Sequence, residues 1–376
     1  MGQGGHLSYD ATGYYQIAQN LIQGHGFLEW GTSLRRGPLY PLLMAFTIKF
    51  QIFPFGLQMI QALAGAATCG IVFWLGREAF NVTVGVLAAA IQSFDYFSVR
   101  QVLSLMPETL LVFLFLLSIG FVIKGVKKNE SRDMAWGGFF AGLAVLTKEI
   151  FTPFLALVPF WILILNESWK SKLRLAIIFF ICFILTLIPW IIRNRLNQGK
   201  WILFTASMGH SFYLGNNPTV QGRIVGEEWD VDKDSRFPVG DPVLTSLYTP
   251  EADHYLFKLG LEYVRSHPFT SLKQTAKKII RFWYPYYQES SLLTKGLSVI
   301  CYVPIFILGW MGVFRSVKRW RGLFPLYGPI LYLNLVCAVT ISSIRYRFPV
   351  MPFLMLFAAF AVHELWMNYT LRRIRL

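Results

Sequence analysis

Long apolar runs separated by short basic clusters make up most of the chain after residue 56. Nine such runs are close to the length that an α-helix needs to cross the hydrocarbon core of a bilayer, or somewhat shorter. They cover residues 57–76, 81–99, 108–123, 134–147, 150–166, 175–192, 296–314, 323–342 and 348–366. The pattern predicts an all-α polytopic membrane protein.

The basic clusters predict how these helices cross the membrane. They lie at residue 77 and in ranges 124–132, 170–174, 315–321 and 372–375. Because cytoplasmic loops are enriched in Lys and Arg, all five are expected on the cytoplasmic side, with an even number of spans between successive clusters. Residues 193–295 then form a small external soluble portion. The prediction is an external first loop (1–56), a transmembrane bundle (57–192), the external loop (193–295) and C-terminal transmembrane helices with a short basic cytoplasmic tail (296–376).

The segment 8–26 has a different pattern. Tyr14, Ile17 and Leu21 follow Asp10 at helical spacing, which predicts an amphipathic helix with a carboxylate above an apolar stripe, lying at a membrane surface. Gly24 is expected to help end it. Residues 39–53 are too few for an ordinary span and predict a surface or re-entrant helix. Since the topology places Asp10 outside, we expect a further transmembrane helix before residue 1, or a start assigned too late.

Composition supports a membrane protein. Of the 376 residues 55% are hydrophobic, and the mean hydropathy is +0.47. The net charge of +15 does not indicate nucleic acid binding, because the basic residues fall in short clusters between apolar runs. The four cysteines all lie within apolar runs and are expected to be small buried apolar side chains.

Ionisable residues concentrate at the predicted external turns, where charges near hydrocarbon usually face a cavity or a partner. A carboxylate there can accept a proton from a hydroxyl or amine, and Arg or Lys can stabilise a departing phosphate. The residues concerned are Asp10, Arg35, Arg36, Glu108, Lys148, Glu149, Arg193, Arg345 and Arg347.

Each of these residues also has a structural interpretation. Asp10 could be only a helix N-cap, and Glu108 could favour the positive end of a helix dipole. Arg345 and its neighbours could be interfacial anchors, while Lys148 and Glu149 could form a solvated turn pair.

Two further features of the external portion predict ordinary surface. An acidic run at 227–241 has a loosely calcium-like spacing, but Ser235 replaces the required glycine, so a solvated loop is expected. Residues 250–265 and 269–283 predict two amphipathic helices. The basic residues of the second could attract anionic headgroups or the acceptor, but ordinary polar faces are expected. These basic residues are Lys273, Lys277, Lys278 and Arg281.

Four stretches together resemble the C-type glycosyltransferase superfamily. They are Tyr9-Asp10-Ala11 with Tyr14 and IAQNL at 17–21; GPLYP at 37–41; Pro189-Trp190 through Arg193-Asn194 with YLGNN at 213–217; and Arg345-Tyr346-Arg347 with Pro349 and Pro352. The chain is similar to the branch containing dolichyl-phosphate-mannose protein mannosyltransferases and the aminoarabinose transferase of lipid A.

This resemblance implies an inverting transfer from a polyprenyl-phosphate sugar donor to a lipid, glycan or protein acceptor, outside the cytoplasmic membrane. Asp10 matches the acidic residue of the first external loop, the implied general base, and Glu108 the second external acid. Arg35 or Arg36 would meet the donor phosphate, with Arg193, Arg345 and Arg347 as weaker candidates; Tyr14 and Lys148 complete the substrate-binding set. Because Ala11 follows Asp10, no cofactor is expected and a divalent metal is not favoured. No nucleic acid partner is expected.

Two other functions stay open at this point. A transporter or flippase of lipid-linked sugars would use a similar basic cavity, but the ionisable residues here concentrate on one side. An inactive membrane subunit is compatible with the expected missing first helix.

Overall fold

The computed structural model describes residues 8–30, 32, 34–165, 168–203, 205–218, 249–286 and 291–374. The acidic run at 227–241 lies outside these residues. The described part consists of helices and connecting loops, without a β-strand. Its α-helices are α1 (Tyr9–Ile22), α2 (Leu39–Lys49), α3 (Phe55–Ala79), α4 (Val82–Ser93), α5 (Tyr96–Leu103), α6 (Glu108–Lys128), α7 (Ser131–Thr147), α8 (Thr152–Leu163), α9 (Trp169–Gln198), α10 (Met208–Gly215), α11 (Pro250–Ser266), α12 (Pro268–Phe282), α13 (Leu292–Ser316), α14 (Trp320–Val339), α15 (Ile344–Arg347) and α16 (Met351–Ile374).

These helices group into two compact units. Unit 1 comprises Met1–Leu57, Trp190–Glu289 and Leu333–Arg347. Unit 2 comprises Gln58–Pro189, Ser290–Tyr332 and Phe348–Leu376.

Unit 2 is a bundle of apolar helices. Its main helix pairs are α6 with α7, α13 with α16, and α4 with α16. Phe115 lies at the centre, stacked on Phe151 and in edge contact with Phe154 and Phe353. All four rings are buried, so aromatic packing holds the middle of the bundle together.

The described residues contain five stretches long and apolar enough to cross a membrane, or six if the bent pair α4 and α5 counts as one span. This confirms a multi-pass membrane protein. A helix lies at each of the nine predicted segments, but only five or six stretches are long and apolar enough to count as spans. Two features of the helices explain the difference. The stretch Leu292–Val339, with 48 residues, covers two predicted spans, while α7 and α8 have only 17 and 12 residues. At 1.5 Å per residue, α8 is too short to cross alone.

Unit 1 contains the N-terminal helices. The α1 helix ends at Ile22, and Gly24 and Gly26 follow with φ of 80° and 82°, the left-handed conformation that glycine adopts freely. The predicted apolar stripe exists, since Tyr14 and Ile17 are buried. It packs inside unit 1, with Tyr14 in edge contact with Tyr40 of α2 at 5.1 Å. The stripe therefore faces protein, not the membrane surface expected from the sequence.

Helices α10 and α11 pack closely in the same unit. A Cβ atom on Gly209 would lie 1.8 Å from the Asp253 carbonyl oxygen, so only glycine allows this approach. Phe212 and Phe257 are in contact across the pair, with their ring centroids 4.9 Å apart and their planes tilted by 37°. The two helices thus form one rigid element of unit 1.

Helix α12 has the reverse of the orientation expected from its sequence. Its polar side, formed by Ser271, Gln274, Lys278 and Arg281, is buried. The expectation that Lys278 and Arg281 lie on an ordinary polar surface is therefore wrong. The reason is that unit 1 supplies polar partners: the Lys278 ammonium donates to Asn216 Oδ1 at 3.2 Å.

The four cysteines are free thiols. Cys337 is buried, and Cys69 and Cys182 are partly buried, as expected for small apolar side chains. Cys301 is exposed on α13, which corrects the expectation for that residue. An apolar run predicts a membrane helix but not which of its sides faces lipid.

Candidate functional site

Asp10 lies in the first turn of α1. The N-cap of this helix is Ser8, whose hydroxyl accepts a hydrogen bond from the Ala11 amide at 3.4 Å. The interpretation of Asp10 as the N-cap is therefore wrong. Its carboxylate is available for other contacts.

Two arginines hold that carboxylate. Arg36 Nη2 lies 3.2 Å from Asp10 Oδ1, and Arg345 Nη2 lies 2.8 Å from Asp10 Oδ2. Arg36 follows α1 by a short loop, whereas Arg345 is 335 residues away in the sequence. The Asp10 side chain is 27% exposed. It is thus the solvent-accessible carboxylate of a basic site.

Glu29 is a second carboxylate at this site, and sequence reasoning missed it. Its side chain is 1% exposed and accepts from Arg35 Nη1 at 2.9 Å and from Arg36 Nε at 2.8 Å. It is the only acidic residue between Asp10 and Glu78, and it lies just before the two arginines. The signal available in the sequence was an isolated acidic residue close to a pair of basic residues, in a loop predicted to be external.

The guanidinium of Arg36 is fixed from several sides. It lies 4.1 Å from the ring centroid of Tyr14, and it bridges Glu29 and Asp10. Burial by itself lowers the pKa of Arg36, but the electrostatic interactions with Tyr14, Glu29 and Asp10 together outweigh it and raise the pKa. Arg36 is therefore a permanently charged, preoriented group.

A glycine makes room for this arrangement. A Cβ atom on Gly13 would lie 2.0 Å from Glu29 Oε1 and 2.8 Å from Arg36 Nη2. The backbone of α1 therefore passes directly under the Arg36–Glu29 pair. A larger residue at position 13 would have to displace buried charges.

We call Asp10, Glu29, Arg35, Arg36 and Arg345 the Asp10 cluster. It combines two carboxylates with three guanidinium groups, so its formal charge is one positive. A partly exposed site with positive charge in excess attracts an anion, and arginine forks match phosphate oxygens well.

Two other predicted arginines also belong to unit 1. Arg193 lies over the rings of Trp190 and Phe27, at 4.7 and 5.4 Å from their centroids. Arg347 is 2% exposed, and its Nη1 donates to the carbonyls of Phe282 and Tyr284 at 2.9 and 2.6 Å. Since Phe282 is the last residue of α12 and Tyr284 lies just beyond it, Arg347 is placed to cap the C-terminus of that helix.

His210 of α10 is a buried neighbour of the basic loop. Its backbone amide donates to Asp253 Oδ1 at 3.0 Å. Burial, with a smaller electrostatic contribution from Arg35, lowers the pKa of His210 to about 4. The imidazole is therefore neutral at physiological pH and adds no charge to the Asp10 cluster.

The remaining predicted pair lies in unit 2. Lys148 Nζ lies 3.0 Å from Glu108 Oε1, and Gln101 Nε2 donates to Glu108 Oε2 at 3.4 Å. Glu108 is the first residue of α6, where its charge also favours the helix dipole. Lys148 is therefore paired with Glu108, while Glu149 opens the short 3₁₀ turn before α8.

The described residues bring together no group of three or more His, Cys, Asp or Glu side chains that could hold a metal ion. The positive charge at the Asp10 cluster comes from arginine.

The fold matches that of a solved membrane oligosaccharyltransferase. The archaeal enzyme AglB from Archaeoglobus fulgidus, in complex with an inhibitory peptide and a dolichol-phosphate, superimposes with a TM-score of 0.61 at 15% identity, over 98% of this chain and 47% of that one. The apo form of the A. fulgidus oligosaccharyltransferase gives 0.60 at 17% identity, over 98% and 48%. The chain thus spans about half the length of these structures, and the predicted C-type fold is confirmed.

A family model points to the same class. The model described as dolichyl-phosphate-mannose-protein mannosyltransferase matches residues 35–192, which include the loop arginines of the Asp10 cluster and Glu108. This confirms the resemblance noted in the sequence. ArnT from Cupriavidus metallidurans aligns over 96% of this chain and 73% of that one at 13% identity, with a TM-score of 0.44 that supports no further argument. A search of curated proteins gave no match.

Proposed function

We propose that this protein is a membrane glycosyltransferase, which transfers a sugar from a polyprenyl-phosphate donor to an acceptor on the external side of the cytoplasmic membrane. The family model and the fold support the class. The observation that carries the proposal is the Asp10 cluster, in which one accessible carboxylate contacts two guanidinium groups. The dolichol-phosphate in the AglB structure is consistent with a lipid-phosphate donor.

In the proposed reaction Asp10 is the general base. It accepts the proton from the acceptor hydroxyl or amine while the acceptor atom forms a bond to the anomeric carbon. The bond between that carbon and the donor phosphate oxygen breaks on the opposite face, which inverts the anomeric configuration. The electron pair leaves on the phosphate, where Arg36 and Arg345 stabilise the developing charge.

The ion pairs of Asp10 couple donor binding to this chemistry. Without donor, the two arginines are paired with Asp10, and a carboxylate held between two cations is a weak base. A phosphate that binds Arg36 and Arg345 competes with Asp10 for them and so restores its basicity. The proton acceptor is then strongest when the donor is in place.

No resident metal is required in this mechanism. A divalent ion would supply positive charge beside the leaving phosphate, and the arginines of the cluster supply that charge directly. Addition of a chelator is therefore expected to leave transfer unchanged.

The decisive experiment is a transfer assay in proteoliposomes with a panel of radiolabelled polyprenyl-phosphate sugars. Asp10→Asn is expected to keep the protein in the membrane and to lower the rate by roughly a hundred- to ten-thousand-fold. Glu251→Gln is the matched control, because it removes a carboxylate of unit 1 that is 58% exposed and outside the cluster. Its transfer rate is expected to equal that of the wild type.

The other outcomes decide between the functions left open by the sequence. Near-normal transfer by Asp10→Asn would remove Asp10 from the mechanism. If no donor gives transfer but the lipid-linked sugar crosses the bilayer, the protein is a flippase. If neither occurs, the inactive-subunit interpretation is favoured.

A further inference from the structure

Helix α12 has an apolar side that the described residues of unit 1 leave exposed. Phe269, Leu272, Ile279 and Ile280 are 81, 67, 41 and 59% exposed. Phe269, Leu272 and Ile280 recur with Ala276 at intervals of three or four residues, so they form one stripe along the helix. Four large apolar side chains in one contiguous exposed stripe indicate an interaction surface.

The opposite side of α12 is held firmly. Lys278 donates to Asn216, and the carbonyl of Lys278 accepts from the Ser342 hydroxyl at 2.8 Å. Arg347 binds the Phe282 carbonyl, and Trp283 Nε1, just past the helix, donates to Asn334 at 2.9 Å. The helix cannot roll its apolar stripe inward without breaking these contacts.

Two lysines border the apolar stripe. Lys273 and Lys277 are exposed and lie one turn apart, beside Phe269 and Ile280 on the helical projection. An apolar stripe with lysines along its edge is typical of a helix that lies in the membrane interface and attracts anionic headgroups.

The chain itself leads from α12 to the membrane. The stretch Leu292–Val339, which is long and apolar enough to cross a bilayer, begins ten residues after Phe282. We infer that α12 lies in the plane of the membrane, with its apolar stripe in the lipid and Lys273 and Lys277 against anionic headgroups. Lipid covers the apolar side, and the polar side faces unit 1.

The test uses single cysteines that carry an environment-sensitive fluorophore. In a background whose four native cysteines are replaced, Leu272→Cys and Ile280→Cys are labelled and reconstituted in nanodiscs that contain brominated lipids. Leu297→Cys, at an exposed site on the membrane helix α13, gives the emission and quenching of a lipid-embedded label. Lys258→Cys, exposed on α11, gives those of a label in water.

We expect labels at 272 and 280 to show blue-shifted emission and quenching close to those at 297, and well above those at 258. Anionic lipid is expected to increase the quenching at 272. The double variant Lys273→Gln/Lys277→Gln is expected to abolish that increase, while the label stays more quenched than the one at 258.

Three results would overturn the inference. One is emission and quenching at 272 and 280 no different from those at 258. Another is a blue shift without quenching by brominated lipid, which would show that protein covers the stripe. The third is a blue shift found only in discs with two copies of the chain, which would make a second copy the occupant.

Discussion

Replacement of Gly13 by alanine separates the geometry of the Asp10 cluster from ordinary helix energetics. In a helix interior alanine is more favourable than glycine by about 1 kcal/mol, so propensity alone predicts that Gly13→Ala stabilises the protein. The structure predicts the opposite sign, because the new methyl group would collide with the Arg36–Glu29 pair.

The size of the collision follows from the distances. Ordinary contact for a Cβ begins at 3.4 Å, and the new atom would lie 2.0 Å from Glu29 Oε1, which leaves a shortfall of 1.4 Å. A carboxylate that moves this far loses its hydrogen bonds to Arg35 and Arg36, now 2.9 and 2.8 Å long. Overpacking costs about 1–3 kcal/mol, so after subtraction of the helix gain of about 1 kcal/mol the net loss is expected to be up to about 2 kcal/mol.

Gly13→Ala is expected to lower the transfer rate as well as the stability of the protein. Arg36 joins Glu29 to Asp10, and a misplacement of about 1 Å in a catalytic group can cost a hundredfold in rate. We expect Gly13→Ala to lower transfer by about ten- to a hundredfold, measured in the proteoliposome assay, and to lower the melting temperature. Gly70→Ala is the control, since a Cβ on Gly70 of α3 meets nothing within 4 Å.

A second substitution tests the cause. Glu29→Asp retracts the carboxylate by one methylene, about 1.5 Å, which is close to the shortfall. The double variant Gly13→Ala/Glu29→Asp should therefore lose less stability than the sum of the losses of the two single variants. The difference, which is the coupling energy, is expected to be about 0.5–3 kcal/mol. If Gly13→Ala melts and turns over like Gly70→Ala, the close approach at Gly13 is refuted.

Two further predictions concern charged residues that are not members of the Asp10 cluster. Lys148→Met removes the cation paired with the buried Glu108 carboxylate and should lower the free energy of unfolding by up to about 3 kcal/mol. The double variant Glu108→Leu/Lys148→Met should recover most of that loss. Equal melting temperatures of the single and the double variant would contradict the ion pair. Burial lowers the pKa of Lys278 from its ordinary value of 10.5 to about 8. Below pH 8 the charge on Lys278 therefore destabilises the folded state by its full amount, and this penalty disappears as the pH rises towards 10.5. The melting temperature of wild type relative to Lys278→Met should therefore rise from pH 8 to 10.5, by the equivalent of at most about 3 kcal/mol, and a constant difference would exclude the effect.

The local parts of the fold followed from the sequence. Hydrophobic run length and the glycines after α1 depend on residues close together in the chain, so the helices and the membrane class could be predicted. The grouping of ionisable residues in the turns predicted to be external also identified Asp10, Arg36 and Arg345 as candidates, although not their mutual contact.

Contacts between residues far apart in the sequence could be identified only from the tertiary structure. Asp10 meets Arg345 across 335 residues, and Glu29 joins the cluster through a loop fold that no periodicity indicates. The same packing places Arg347 at the end of α12. Spacing along a sequence reports nearness only within a helix, so it could not decide which arginines share a site.

Helix α12 shows the same difference between what the sequence predicts and what the tertiary structure decides. The sequence by itself determined that one side of this helix is apolar and the other basic. It did not determine which side faces protein, because either can be stable: an apolar side against a core, or a polar side against polar partners with lipid outside. Only the tertiary structure, which supplies Asn216 for Lys278, decided that Lys278 and Arg281 turn inward while Lys273 and Lys277 stay exposed.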